Sequence, residues 1–304
     1  MTKLTIHTAT YNRAYILEKA YRSLCAQTVK DFEWIISDDG STDGTKDLVA
    51  QWMATDNGFA IKYNPLPHVG LPRALNSGIH LASSEWLIRL DSDDHFVPNA
   101  VEIILDRIAE IASNEEFVGV GFARCQPDGR YMKNQTIVVD PSKGYIDASN
   151  LERAKYGLDM DMCEAMRVRI LKEFPHQCWP TETFAPEQLS YNEIALAGYK
   201  YRWWPDKIYI CDYLVDGLTK SDRIVRQNPM GYAMMHNQNM LLVENTAEKL
   251  KAAMQMTALS LCSGNPQYLK ESNCMWATAL TFPLGAALSV RRKIQFMKMD
   301  KNYG

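Results

Sequence analysis

The chain has 304 residues, 46% hydrophobic and 23% charged, which is ordinary for a globular enzyme and enough for one large domain with an appendage. Its formal net charge of -3 gives no reason to expect a polyanion partner such as nucleic acid. The seven cysteines (Cys25, Cys125, Cys163, Cys178, Cys211, Cys262, Cys274) are odd in number, scattered and never in C-x-x-C, which argues against a disulfide framework or a zinc site and fits a reducing cytoplasm.

From Met1 the chain runs straight into a strand, Leu4 to Thr8, with no signal-peptide pattern ahead of it. Tyr15 to Gln27 repeats apolar residues at helical spacing (Ile16, Ala20, Leu24). Phe32 to Ser37 reads as a second strand, and the turn residues Asp38 to Gly44 lead into a helix carrying Leu48, Val49, Trp52 and Met53. Ile61 to Tyr63 predicts a third strand, Leu71 to Ala82 a helix, Trp86 to Leu90 a fourth strand, Pro98 to Ala112 a helix and Phe117 to Ala123 a further strand. Strand–helix units at this spacing predict an α/β fold with a mostly parallel, doubly wound sheet.

Beyond Cys125 the pattern loosens. Tyr131 to Val139 and Lys207 to Tyr213 look like strands, and Tyr232 to Thr257 looks helical. Ser272 to Val290 is free of charge over 19 residues and is followed by Arg291-Arg292-Lys293. Its Ser, Asn, Thr, Pro and Gly residues make it too polar for a membrane-spanning helix. Two readings stay open: an interfacial element with a basic flank, or a C-terminal helix packed on the domain.

The most informative stretch is Trp86-Leu87-Ile88-Arg89-Leu90-Asp91-Ser92-Asp93-Asp94, an apolar strand ending in Asp-x-Asp. Carboxylates at that edge of a sheet suit Mg²⁺ or Mn²⁺ at nucleotide phosphates, which take one or two carboxylates and complete their shell with phosphate oxygens and water. Two more polar clusters follow strands one and two: Thr8-Ala9-Thr10-Tyr11-Asn12-Arg13 and Ser37-Asp38-Asp39-Gly40-Ser41-Thr42-Asp43. In a parallel sheet all three share an edge and describe a nucleotide crevice. Tyr11 is placed to pack on a base and Asp39 to accept its N–H groups, whereas Asp43 reads better as a cap.

These clusters, with Gly70…Ala74-Leu75-Asn76-Ser77-Gly78-Ile79…Ala82 between them, resemble glycosyltransferase family two. The resemblance is strong over residues 3–125 and patchier to about residue 220. It implies a GT-A fold with a Rossmann-like sheet and an inverting, Mn²⁺- or Mg²⁺-dependent enzyme that uses a nucleotide-sugar donor. The corresponding divisions are 1–125 for donor binding, 126–230 for the acceptor side, and 231–304 as a helical region that packs on the domain or contacts a membrane surface.

Residue by residue, the resemblance puts the donor's nucleoside against Thr8, Ala9, Thr10, Tyr11, Asn12 and Asp39. Ser92 and Asp91 lie beside the donor. Asp93 is the principal metal ligand, Asp91 stands at the ribose or behind the ion, and Asp94 supports the loop. Arg73 is placed for the base or diphosphate, with an exposed helix arginine as the equal alternative. The arginine that the family often has before Asn76 is here Leu75. Glu187 matches the family's catalytic carboxylate, and its place in the first turn of a helix over Leu189 to Ala195 suits its charge. The usual Glu-Asp pair is here Glu187-Gln188, and Glu182 is the alternative base. Asp216 to Arg226 matches a segment that closes over the donor, with Lys220, Arg223 or Arg226 facing the diphosphate or simply water. His95 could approach a metal but as a lone histidine more often packs. Trp179, Trp203 and Trp204 read better as core aromatics than as a sugar platform.

The reading is thus an inverting transfer of a hexose or N-acetylhexosamine from a UDP-sugar to a saccharide acceptor, plausibly lipid-linked, in surface polysaccharide synthesis at the inner membrane face. A nucleotidyltransferase is disfavoured because Thr10 to Arg13 has no glycine-rich phosphate loop. A dehydrogenase is disfavoured because Gly119 to Arg124 lacks the third fingerprint glycine. A non-catalytic sugar-nucleotide or glycan-binding subunit stays open on the altered Glu187-Gln188 pair.

Overall fold

A computed structural model describes residues 2–132, 137–211 and 223–303, with side chains described as far as residue 298. The chain divides into two compact units: Met1–Pro175 with Ser190–Val215, and His176–Leu189 with Asp216–Gly304, each taken over its described residues.

The first unit is built on one sheet. Its strands are β1 (Leu4–Thr10), β2 (Phe32–Asp38), β3 (Ala60–Pro65), β4 (Trp86–Arg89), β5 (His95–Phe96), β6 (Phe117–Cys125), β7 (Ile146–Ala148), β8 (Met162–Arg167) and β9 (Lys200–Ile210). The order is β3-β2-β1-β4-β8-β6-β9-β5, with β7 also on β9. β1, β2, β3, β4, β6 and β9 run the same way, and β5, β7 and β8 run against them. The sheet is therefore mixed, with the parallel direction dominant. β2 is buried at every position, as expected of a strand covered on both faces.

The helices follow from spacing. In α1 (Ala14–Cys25) Leu17, Ala20 and Leu24 are buried, and in α4 (Ala100–Ile111) Val101, Ile104, Ile108 and Ile111 are buried. Each set recurs at three or four residues and makes one apolar stripe. With α2 (Thr45–Met53) they close one core over Trp34, Trp52 and Ile88. α3 (Leu71–Leu81) and α5 (Val168–Glu173) contribute Ile79, Ile170 and Leu171 to a second core with Leu87, Tyr201 and Trp203. α3 can lie this close to β1 because residue 78 is glycine: an added Cβ would stand 2.0 Å from Nε2 of His7.

Tyr131 makes one isolated bridge to Cys125, and Ile137 to Val139 is not strand, so the strand expected from Tyr131 to Val139 does not form over its described residues. The strand expected from Lys207 begins earlier, at Lys200. β5, β7 and β8 lie outside the strands that the sequence predicts.

The second unit is helical: α7 (Arg223–Gln227), α8 (Pro229–Leu242), α9 (Thr246–Cys262) and α10 (Met275–Tyr303), together with residues 176–189, which run into a short α6 (Gln188–Leu196) and so back to the chain of the first unit. Trp179, Ala185, Leu189, Met230, Ala233 and Leu259 form its core. The helix expected over Tyr232 to Thr257 is two helices, broken where Asn245 caps α9 by accepting from the amides of Ala247 and Glu248. No helix among the described residues is long and apolar enough to cross a membrane.

Candidate donor and metal site

β2, β1 and β4 are parallel neighbours, so the polar clusters that follow them share one edge, as the sequence predicts. The corner between β1 and β2 is tightly built. Asn12 and His68 are both left-handed, with φ of 52° and 42°, a conformation that costs a non-glycine residue energy. The rings of Tyr11 and His68 stack with centroids 4.3 Å apart. Asp39 is buried, and its carboxylate accepts from the amides of Val69 at 2.6 Å and Gly70 at 3.0 Å and lies 3.1 Å from Nδ1 of His68. Most of its accepting capacity therefore holds the 68–70 loop under Tyr11.

Asn12 ties the two loops together: its amide donates to the Ser41 hydroxyl, and its side-chain oxygen accepts from the amide of Thr42, both at 2.8 Å. Thr8 is turned into the core, where its hydroxyl accepts from Nε1 of Trp34. The side chain of Thr10 is buried, and its hydroxyl finds no hydrogen-bond partner among the described residues. Asp43 is a cap, accepting from the amides of Ala14 and Thr45. Asp38 accepts from Ser41 and from the hydroxyl of Tyr63 and shapes the turn.

The Asp-x-Asp turn is organised by two arginines that spacing did not reveal. Nε of Arg89 lies 2.9 Å from Oδ1 of Asp91, and Nη1 of Arg124 lies 2.8 Å from Oδ2. Burial opposes the Asp91 charge, but Arg89 and Arg124 outweigh it and hold the carboxyl well below the usual range. Arg124 lies over the ring of Tyr209, whose hydroxyl accepts from the amide of Asp91. Asp94 is buried 3.7 Å from Arg124; burial, with Asp91 and Asp93 adding to it and Arg124 opposing, pushes its carboxyl up to about 7. Asp94 thus supports the loop. Ser92 is buried in the same turn, and half-buried Asp93 lies 3.5 Å from Nη1 of Arg13.

These contacts test a divalent ion against the residues. Asp91, expected at the ribose or behind the ion, has each carboxylate oxygen beside a guanidinium, which anchors the turn. Asp93 fits a Mg²⁺-type ion that draws most ligands from phosphate and water. Among the described residues no three His, Cys, Asp or Glu side chains converge into a protein-only cage.

Arg73 is half-buried in α3 and donates to the carbonyl of Val69. Leu75 is in the core, so no charged side chain reaches out from that position. His95 lies in β5 opposite Ile210. Trp179, Trp203 and Trp204 are buried. Trp203 donates to the carbonyl of Ala148, and Arg107 covers Trp204. Arg223 and Arg226 lie in α7 rather than a loop; Lys220 lies outside the described residues.

In the second unit, Glu187 is half-buried immediately before α6, one residue short of the helix expected to contain it. Glu182 has a different task. Its carboxylate accepts from the amides of Met230 at 2.5 Å and Gly231 at 2.8 Å, capping the start of α8.

The family model for glycosyl transferase family 2 matches residues 5–174, more than half of the chain.

The chain belongs to glycosyl transferase family 2.

It is a glycosyltransferase with a GT-A-type fold. The family match runs from β1 through α5 and stops before Glu187. A Campylobacter jejuni GalNAc(5)-diNAcBac-PP-undecaprenol beta-1,3-glucosyltransferase is 34% identical over 110 residues, which is 36% of each chain, so little more than a third of that enzyme is spanned. An uncharacterized glycosyltransferase of Nostoc sp. is 27% identical over 84% of this chain and 73% of its own. Among solved structures, S. aureus TarS 1-349 in complex with UDP-GlcNAc has a TM-score of 0.59 at 18% identity, over 90% of this chain and 77% of that one. The Pyrobaculum calidifontis mannosyltransferase PcManGT, with GDP-Man and Mn²⁺, has a TM-score of 0.54 at 15% identity, over 95% and 80%. At these identities the likeness concerns the fold of this family 2 enzyme.

Proposed function

We propose that this glycosyltransferase is an inverting, divalent-metal-dependent enzyme. It transfers a hexose or N-acetylhexosamine from a UDP-sugar to a saccharide acceptor carried on a lipid, in bacterial surface polysaccharide synthesis. The observation that carries the donor reading is the edge shared by the three polar clusters, with Asp93 in the turn that follows β4. The buried Thr10 hydroxyl, without a partner among the described residues, and the Tyr11–His68 stack support a polar, aromatic-capped ligand at the β1 end. UDP-GlcNAc bound to TarS supports the uridine choice, and GDP-Man with Mn²⁺ bound to PcManGT supports the metal. The undecaprenol-linked substrate in the Campylobacter relative's name supports a lipid-linked acceptor, which would bring the protein to the face of a membrane.

In this reading Asp93 would hold the ion and Tyr11 would pack against the base. When bound, the ion offsets the charge of the departing nucleoside diphosphate. Glu187 takes the proton from the acceptor hydroxyl as that oxygen bonds to the anomeric carbon. The carbon–phosphate-oxygen bond breaks on the opposite side, UDP leaves with the electron pair, and the anomeric configuration inverts.

The test is a thermal-shift panel of UDP, GDP, dTDP and CMP with and without Mn²⁺. Ligand at a hundredfold excess over its Kd adds about 2.7 kcal/mol, enough to raise Tm by a few degrees. The expected result is a Mn²⁺-dependent shift for UDP that Asp93→Ala removes. A shift for GDP alone would reassign the donor, and binding with no turnover on any acceptor would favour a non-catalytic subunit.

A further inference from the structure

α10 is inside out. The face it packs on α9 is lined by Thr278, Thr281, Gly285 and Ser289, with the three polar side chains buried. Close approach explains the small residues: a Cβ on Gly285 would stand 2.7 Å from the side chain of Thr257. The hydroxyl of Thr281 turns back to the carbonyl of Ala277, and Ser289 to that of Ala286, so the inner face needs no water. The large apolar residues Trp276, Leu280, Leu284, Val290, Ile294 and Met297 are all at least 45% exposed. Their spacing puts them on one side of the helix, over roughly 30 Å at 1.5 Å per residue. A monomer rarely leaves so continuous an apolar stripe in water.

We infer that this outer face of α10 lies flat in an anionic lipid surface. Charge decides the occupant. Arg291, Lys293 and Lys298 are exposed beside the stripe, and α10 contains no acid before Asp300. A second copy pairing in parallel would set these cations side by side. Pairing antiparallel, it would meet them with an acid-free helix. An anionic headgroup layer supplies the missing counter-charge while its acyl boundary takes the leucines and the tryptophan. The inference deepens the lipid-linked acceptor reading of the preceding section. It also replaces the choice between packing and interfacial contact, because opposite faces of α10 serve each.

The test uses the full chain and vesicles that contain no acceptor. Cosedimentation is measured on phosphatidylglycerol–phosphatidylcholine vesicles and on phosphatidylcholine alone, beside light scattering of the free protein. The expected result is binding to the anionic vesicles that Leu280→Glu with Leu284→Glu reduces by roughly tenfold or more. Arg291→Gln with Lys298→Gln should weaken it and raise its salt sensitivity, with monomeric mass throughout. Absence of binding, binding unaffected by the glutamates, or a dimer that the glutamates split would each overturn the inference. UDP-dependent thermal shifts, read on the same variants, report the donor site separately. A failed membrane test with intact UDP binding therefore leaves the transferase reading standing, and the reverse result spares the membrane face.

Discussion

The guanidinium of Arg124 meets the carboxylate of Asp91 at 2.8 Å, and this pair fixes the turn that carries Asp93. Breaking a fully buried pair typically costs about 3–5 kcal/mol, but the side chains of Arg124 and Asp91 are 12% and 31% exposed, which lowers the cost. Arg89 still holds Asp91, so Arg124→Leu is expected to cost about 1–2 kcal/mol, read as a lower urea midpoint at unchanged m. Arg124→Lys should recover less than half, because an ammonium lacks the planar fork that meets Asp91 while covering Tyr209.

Glu187 and Glu182 should separate chemistry from folding. Glu187→Gln is expected to lower turnover by about 10²–10⁴-fold with UDP-sugar binding and Tm retained. Glu182→Gln removes the charge that caps α8 and should lower stability by about 1–2 kcal/mol with turnover per folded molecule kept. Turnover assays and melting curves on both proteins check this; the opposite pattern would exchange their roles.

Gly78 and His7 form a steric pair. Gly78→Ala places a methyl group 2.0 Å from the imidazole, and overpacking of this kind costs about 1–3 kcal/mol. In a His7→Ala background the same methyl group should cost much less. A double-mutant cycle by urea denaturation measures the coupling; simple additivity would show that the helix shifts away freely.

His236 gives the helical unit a pH dependence. Burial, with Arg292 and Lys251 adding to it, pushes its imidazole down to about 4. As pH falls below about 6.5 the unfolded chain binds a proton at this position and the folded chain does not until near 4, so the stability present above that window is lost through it. The fall is expected to be on the order of 2 kcal/mol for a half-buried ring. Melting curves across that window should be flatter for His236→Gln than for the wild type.

Local signals made β1, β2 and β4 legible: short apolar runs, each stopped by polar turn residues. β8 carries Met162-Cys163-Glu164-Ala165-Met166-Arg167, without a β-branched residue, and owes its conformation to neighbours on both sides. The roles of Asp91 and Glu182 were illegible for a related reason. Arg124, on β6, meets Asp91 across β8, which lies between β4 and β6, and Glu182 caps a helix that starts at Pro229. Asp43 and Leu75 show the converse. A turn residue beside a helix start and an apolar residue on a helical stripe behave as their immediate surroundings dictate.

The place of β8 also bears on how the protein is made. β4 pairs on one side with β1 and on the other with Met162–Arg167, which the ribosome adds much later. At roughly 5–20 residues per second, the nascent chain carries Trp86–Arg89 as a bare edge for several seconds. A polypeptide cut after Cys125 would carry it permanently, open to pairing with its own kind.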